Sequence, residues 1–449
     1  MNRPQPVPSQ PKVVPVTARP VYRFPTLGAT ASTAWSVWAL LLGMGMLMLG
    51  NGMQVTLLGL RATVEGFSAT VTGFVMAGYF VGFLGGAFFT PPIIQRAGHV
   101  RVFAAMASIA SVAVLVHAMF VVPVVWGLMR VITGFSYSGL YIVTESWLND
   151  RATNEVRGRL LSVYLIIVFL GMAGGQLTMN LASPKSYTLF LLNAIIVSLA
   201  LVPILLSEAR EPDRSSPDPM SLKRLYKLCP LGTLGILATG ASHGALFSMA
   251  AVYAHDSGMS VAQVSVFMTA LIAGGAAMQW PIGRLSDLVD RRKVIAGTGL
   301  MVAIIASATE VFAGRSNTAL IAIALLFGGV VLPMYSLYLA YVNDHLAPRQ
   351  MVAASSRLYI VAAVGSVVGP PLTGWLMDLR GPGGFLWYFV VVHLVMFGYA
   401  LYRIASTESV VVEEQSPYAP MPGRTGELME TWVEEVAEVA ESRQEEAHS

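Results

Sequence analysis

The feature that most constrains this chain is a series of apolar stretches, each about 20 residues long, separated by short polar breaks from Trp35 to Arg403. In helical form such a stretch is just long enough to cross roughly 30 Å of hydrocarbon. They fall near residues 34–60, 68–93, 102–122, 124–148, 159–182, 187–207, 229–254, 261–283, 294–314, 317–342, 357–378 and 383–404, twelve in all. Helix is required, because lipid cannot satisfy backbone polar groups and a barrel would alternate with period two. The expectation is an all-α integral membrane protein with the lipid bilayer as its solvent. Composition agrees. The chain is 55% hydrophobic and 12% charged, half the charge of a typical soluble domain at about 25%. That excludes an ordinary soluble enzyme and a nucleic-acid binder. Cys229 is the only cysteine, so neither a disulfide framework nor a thiolate metal centre is available.

Charge layout gives orientation. With the N-terminus inside, 23 of the 28 Lys and Arg residues fall in the inner connections, while only Arg61, Lys185, Arg315 and Arg380 fall outside. Arg130 lies within a span. This bias is the positive-inside pattern, and it places both termini in the cytoplasm of a bacterial inner-membrane protein. Residues 1–33 carry seven prolines before position 26 and read as a disordered basic tail. Residues 405–449 form an acidic tail, with Leu428, Trp432, Val436 and Val439 at helical spacing.

The polar, proline-rich stretch 208–228 lies midway and reads as a linker between two bundles of six helices, 34–207 and 229–404. One register relates the halves. Asn149-Asp150 recurs as Asn343-Asp344, 194 positions on, and the same offset carries Tyr141 onto Tyr335, Gly171 onto Gly365 and Gly175 onto Gly369. The fold class expected is therefore twelve transmembrane helices in two pseudo-symmetric six-helix bundles, an architecture of secondary transporters with the solute site between the halves.

The sharpest local pattern runs from Gly283 through Arg284, Asp287 and Asp290 to Arg291, Arg292 and Lys293. Gly283 suits a close helix approach. Asp287, at a helix end, suits capping or pairing with Arg291 or Arg292. The run resembles the loop signature of the major facilitator superfamily, with Asp290 where that pattern has glycine. The first-half counterpart, Pro91 to Arg101, has Gln95 where the acidic residue belongs and keeps Arg96, Gly98 and Arg101. Arg130 to Gly134 resembles the family's R-x-x-x-G element. The stretches from Glu145 to Leu161 and from Gln279 to Leu285 are similar to a YcaD-like branch of bacterial transporters. The resemblance implies alternating-access transport of a small-molecule substrate by a monomer, without a cofactor and with protons as coupling ion. In that reading Asp287 and the Arg291–Lys293 cluster latch the inner face.

Two buried charges have alternative readings. Arg130 either lines the cavity and takes part in coupling, or clamps neighbouring carbonyls. Glu145 either forms a gate salt bridge with Arg96, Arg101 or Arg157, or carries a proton. Candidate cavity residues are the mid-span polar groups Asn51, Gln54, Tyr79, Gln176, Asn180, His243, Gln279, Tyr335 and Tyr338. Each has a helix-to-helix hydrogen bond as its plainer alternative. No nucleotide loop, zinc-protease pair or nucleophile elbow occurs, so an enzyme is not expected. Efflux is favoured over uptake symport or uncoupled facilitation, and a non-transporting receptor or scaffold is the reading from another class.

Overall fold

The computed structural model describes residues 38–151, 157–206, 221–312, 315–346 and 348–407, with positions 410, 415, 416 and 418. The N-terminal tail and the helical stripe expected at 427–441 lie outside the described residues. Eleven described spans have the length and hydropathy to cross a bilayer. They are α1 (Trp38–Val64), α2 (Ala69–Ala97), α3 (His99–Met119), α5 (Arg157–Leu177), α6 (Thr188–Leu205), α7 (Pro230–Asp256), α8 (Val261–Leu288), α9 (Arg291–Phe312), α10 (Asn317–Asn343), α11 (Pro348–Arg380) and α12 (Gly384–Ser406).

The twelfth helix, α4 (Pro123–Arg151), is as long as α2. It is less apolar because it carries Arg130, Thr133, Ser136, Ser138, Thr144 and Glu145, and all six are buried. Its polarity points into the protein and not into lipid. A short helix, Leu222–Leu228, precedes α7 and buries Leu225.

Small residues set the packing. Within hydrocarbon, helices associate through van der Waals contact and hydrogen bonding, which favours residues that let backbones meet. Gly134 of α4 lies against the backbone of Tyr79 in α2, and Gly328 of α10 lies against the backbone of Leu271 in α8. Gly134 and Gly328 differ by the same 194 positions seen in the sequence. Likewise Gly52 of α1 meets Met172 of α5, and Gly244 of α7 meets Ser366 of α11. Gly171 and Gly175 face α1 backbone, while Gly365 and Gly369 face α7 backbone. The same helix pairings are thus built twice. Asn51 of α1 and His243 of α7 each stand one residue before these paired glycines.

The two halves meet along α2 with α11, α5 with α8, and α1 with α7. Loops rich in arginine gather at one end of the bundle, here the basic end. At the opposite end the halves are closed by backbone-level contact. Asp378 of α11 accepts hydrogen bonds from the Ala69 and Thr70 amides of α2, both at 2.9 Å. Gly73 meets Pro370 and Gly374 meets Ala69. Between α5 and α8, Asn180 donates to Ser265 at 3.2 Å, and Ser265 donates to the Gln176 carbonyl. Gly59 of α1 packs on Val252 and Ala251 of α7. Carboxylate oxygens on the exposed amides of a helix N-terminus are a favourable pairing, so Asp378 is a fastening and not an incidental neighbour.

Candidate functional site

At the basic end, the arginine-rich loop forms a compact ion-pair node. Arg291, 1% exposed, donates from Nη1 to both carboxylate oxygens of Asp344 at 2.6 Å, and from Nη2 to Asp287 at 2.9 Å. Asp344 is itself 1% exposed. Burial pushes its carboxyl up to about 6, even though Arg291 and the Ser416 amide both act to lower it. Desolvation outweighs the partner here. Asp290 and Arg292 form a second, two-pronged pair, at 3.1 and 2.8 Å. Burial alone would raise Asp290, but the Arg292 hydrogen bonds win and hold it below the usual carboxylate range. Arg292 also donates to the Thr407 carbonyl beyond α12, at 2.7 Å. The aspartate that replaces a glycine in the loop pattern therefore has a partner of its own. Lys293 is exposed and takes no part in the ion pairs.

The nearest neighbour of Gly283 is a side chain and not a helix backbone. The ring of Tyr418, from the segment after α12, lies against it. That segment was invisible to motif reasoning, because nothing in the sequence ties residue 418 to residue 283. Asp344 was legible only as half of a repeated dipeptide. Its role as the buried partner of Arg291 came from the fold.

In the first half the basic end is built differently. Arg96 and Arg101 stand exposed, whereas Glu145 is fully buried and accepts a hydrogen bond from Tyr164 at 3.3 Å. The gate pairing of Glu145 with Arg96 or Arg101 is not formed in this conformation, since one side is in solvent and the other in the core. Arg157 opens α5, and its side chain lies outside the described residues. Arg130, 1% exposed, lies 4.5 Å from the centroid of the Tyr79 ring, a cation–π contact.

The mid-span polar residues divide into two groups. Gln176 is a clamp: it donates to the Gly52 carbonyl at 2.9 Å and accepts from Thr56, fixing α5 to α1. His243 donates from Nε2 to the Val331 carbonyl at 3.1 Å, where α10 breaks before Pro333. Asn180 does not line a mid-span cavity. It is exposed in the 3-10 turn Thr178–Leu181, where it bridges α5 and α8. Gln279 donates to Ser336 at 3.4 Å and accepts from the Tyr418 hydroxyl at 3.3 Å. Tyr335 is fully buried in α10, and Tyr338 covers Gly235 of α7.

Asn51 and Gln54 form the second group. They are one turn apart on α1 and 0% and 1% exposed. None of their four carboxamide atoms has a hydrogen-bond partner among the described residues. The Tyr338 hydroxyl is in the same position. Leaving buried polar groups unbonded costs about 1–3 kcal/mol each, and such groups are a handle for a hydrogen-bonding ligand. No cluster of metal-binding side chains occurs among the described residues.

Twin six-helix bundles, closed at one end and carrying unbonded carboxamides at mid-span, define the chain as a multi-pass membrane transporter. It belongs to the Major Facilitator Superfamily, whose model matches residues 40–228 and 231–434. It is 26% identical over 306 residues to the uncharacterized MFS-type transporter YcaD of Escherichia fergusonii, a match covering 68% of this chain and 79% of that one. The YcaD protein of Escherichia coli O45:K1 is 27% identical over the same length. Among solved structures, the nucleoside transporter NupG superposes with TM-score 0.69 at 13% identity, covering 82% of this chain and 98% of its own. A bacterial homologue of the human lysosomal transporter Spinster gives TM-score 0.63 at 17% identity, over 83% of this chain and 95% of its own. These likenesses support the twelve-helix fold.

Proposed function

We propose that this protein is a proton-coupled secondary transporter that moves a small, neutral or mostly apolar organic solute outward by alternating access. The observation that carries the reading is the pair of buried, unbonded carboxamides of Asn51 and Gln54. They offer donors and acceptors without charge, and so select for a hydrogen-bonding neutral solute over an ion. Organic cations are disfavoured, because the unbonded carboxamides carry no negative charge and Glu145 already accepts a hydrogen bond from Tyr164. The positive-inside bias assigns the basic end to the cytoplasm, in a bacterial inner membrane. The seal between α2 and α11 then closes the outer side, giving an inward-facing conformation.

Asp287, Arg291 and Asp344 form the inner latch within the second bundle, tying α8, α9 and the end of α10 together, with Arg292 and Asp290 securing the end of α12. The two bundles are residues 34–207 and 229–404, joined through 208–228. The duplicated glycine seams lie within each bundle and bind it into a unit that can move as one body, which a non-transporting receptor would not need.

The test has two arms. Purified protein is screened by thermal shift against neutral metabolites, nucleosides and apolar drugs. A ligand that binds the folded state raises apparent stability by mass action. Flux of any hit is then measured in proteoliposomes with and without an imposed proton gradient. Acceleration by the gradient supports coupling, and indifference to it converts the reading to facilitated diffusion.

A further inference from the structure

The residues of the latch do more than hold one another. Among the described residues, four hydrogen bonds run from the basic end to Ser416 and Tyr418. The Ser416 amide donates to Asp344 at 2.8 Å, and the Tyr418 amide donates to Asp287 at 3.0 Å. Arg291 donates to the Ser416 carbonyl at 2.8 Å. The Tyr418 hydroxyl donates to Gln279 at 3.3 Å. Three of the four involve main chain, and the two amides belong to residues i and i+2. An extended chain presents alternate residues to one side, so two carboxylates in a row read an extended backbone as a strand edge would. Gln415 and Ser416 are buried, 7% and 6% exposed, and Tyr418 packs on the apolar core. Its ring occupies the space that a Cβ at Gly283 would need.

We propose that the groove formed by α8, α9 and α10 at the basic end is a peptide-docking site whose occupant is this chain's own Gln415–Tyr418 segment. Docked there, the Tyr418 phenol reaches Gln279 and plugs the route from the basic end to the mid-span polar residues. Transport then requires the segment to leave. The groove is suited to such an exchange, because Asp287, Arg291 and Asp344 bind the segment with the same atoms that bind one another. Release frees the node to rearrange, and docking holds it. The tethered segment is thereby an internal inhibitor acting at the latch. This rests on the transporter reading for its consequence, but its test does not use a solute.

Hydrogen–deuterium exchange on the full chain tests docking. The 416 amide is bonded to the buried Asp344 carboxylate and the 418 amide to the exposed Asp287, in a segment whose Gln415 and Ser416 are buried, so the 415–418 peptide should exchange about 100-fold or more slowly than a free peptide. Gly283→Leu fills the place of the Tyr418 ring, and that protection should be lost. Exchange at free-peptide rates in the unaltered chain overturns the proposal. Plugging is tested with Gln279→Cys in a Cys229→Ser background, using a membrane-impermeant maleimide and checking by exchange that the segment stays docked. Adding Tyr418→Ala should raise labelling about tenfold or more, a change of about 1.4 kcal/mol in occlusion. Tyr418→Phe, which keeps the ring, should leave labelling near its starting rate. Equal labelling of all three overturns the plug. Thermal unfolding of each variant separates release of the segment from loss of fold.

Discussion

Replacing Arg291 with Met isolates the energetics of the buried node. The guanidinium serves both oxygens of Asp344 at 2.6 Å, and both side chains are 1% exposed. Removing one partner of such a pair typically costs about 3–5 kcal/mol, because a charge stays buried without compensation. Asp344 has an escape, since burial already lifts it to about 6 with Arg291 present. Without Arg291 it rises further, and at neutral pH it takes up a proton.

The sign follows from linkage. A carboxyl whose folded pKa exceeds its unfolded value binds more protons in the folded state between the two values, so stability falls as pH rises through that window. In the unaltered protein the window contributed by Asp344 ends near 6. In Arg291→Met it extends upward, with a slope of about 1.4 kcal/mol per pH unit. Between pH 6.5 and 8 the variant should lose stability that the parent keeps, by up to about 1.4 kcal/mol per pH unit. Thermal unfolding in detergent at several pH values reads this directly. Asp344→Asn added to Arg291→Met should remove the extra slope. A parallel pH profile for parent and single variant, or no rescue in the double variant, would refute the buried-pair account.

Three other perturbations follow. Asp378→Asn weakens the fastening of α11 to the first turn of α2; charge-assisted capping of this kind is worth about 1–2 kcal/mol, so the closed end should open roughly 5–30-fold more often, seen as faster maleimide labelling of a cysteine at Thr70. Gln54→Met and Asn51→Leu replace unbonded amides by apolar groups of similar size; each should keep or raise the unfolding temperature while abolishing the thermal shift from a bound solute, and a retained shift would remove these residues from the site. Gly134→Ala and Gly328→Ala drive a methyl into the backbone of Tyr79 and of Leu271; each should destabilise by about 1–3 kcal/mol, measured by unfolding, and a harmless change at either would contradict the duplicated seam.

Much of the fold was legible because it depends on length, apolarity and small residues, all of which a sequence displays. The 194-residue register found from Asn149-Asp150 and three single positions reappears as the matched seats of Gly134 and Gly328. The span at 124–148 was read correctly despite its polarity, because its neighbours in series required it. The site was less legible. Asn180 and Gln54 look alike in sequence, yet one is exposed in a 3-10 turn and the other is sealed in the core. Helical phase at a helix end decides between them, and a 3-10 turn shifts that phase. Glu145 was expected to pair with Arg96, Arg101 or Arg157; the first two stand exposed, the side chain of Arg157 lies outside the described residues, and Tyr164 reaches Glu145 across the helix pair. Tyr418 lay in a segment whose composition suggested only a solvated tail. Its seat was set by backbone hydrogen bonds, and those leave no mark in residue type.

The central claim, that the two bundles rock about a mid-span site, is tested most directly by paired distances. Spin labels at Arg96 and Lys293 report the basic end, and labels at Lys185 and Arg315 report the opposite end; all four positions are exposed. Pulsed electron resonance on each pair, with and without Asp378→Asn in a Cys229→Ser background, gives four distance distributions. The account predicts a short, narrow Lys185–Arg315 distance in the parent, lengthening in Asp378→Asn as the Arg96–Lys293 distance shortens in proportion. Two distances that change independently, or that do not respond to loss of the Asp378 carboxylate, would contradict it.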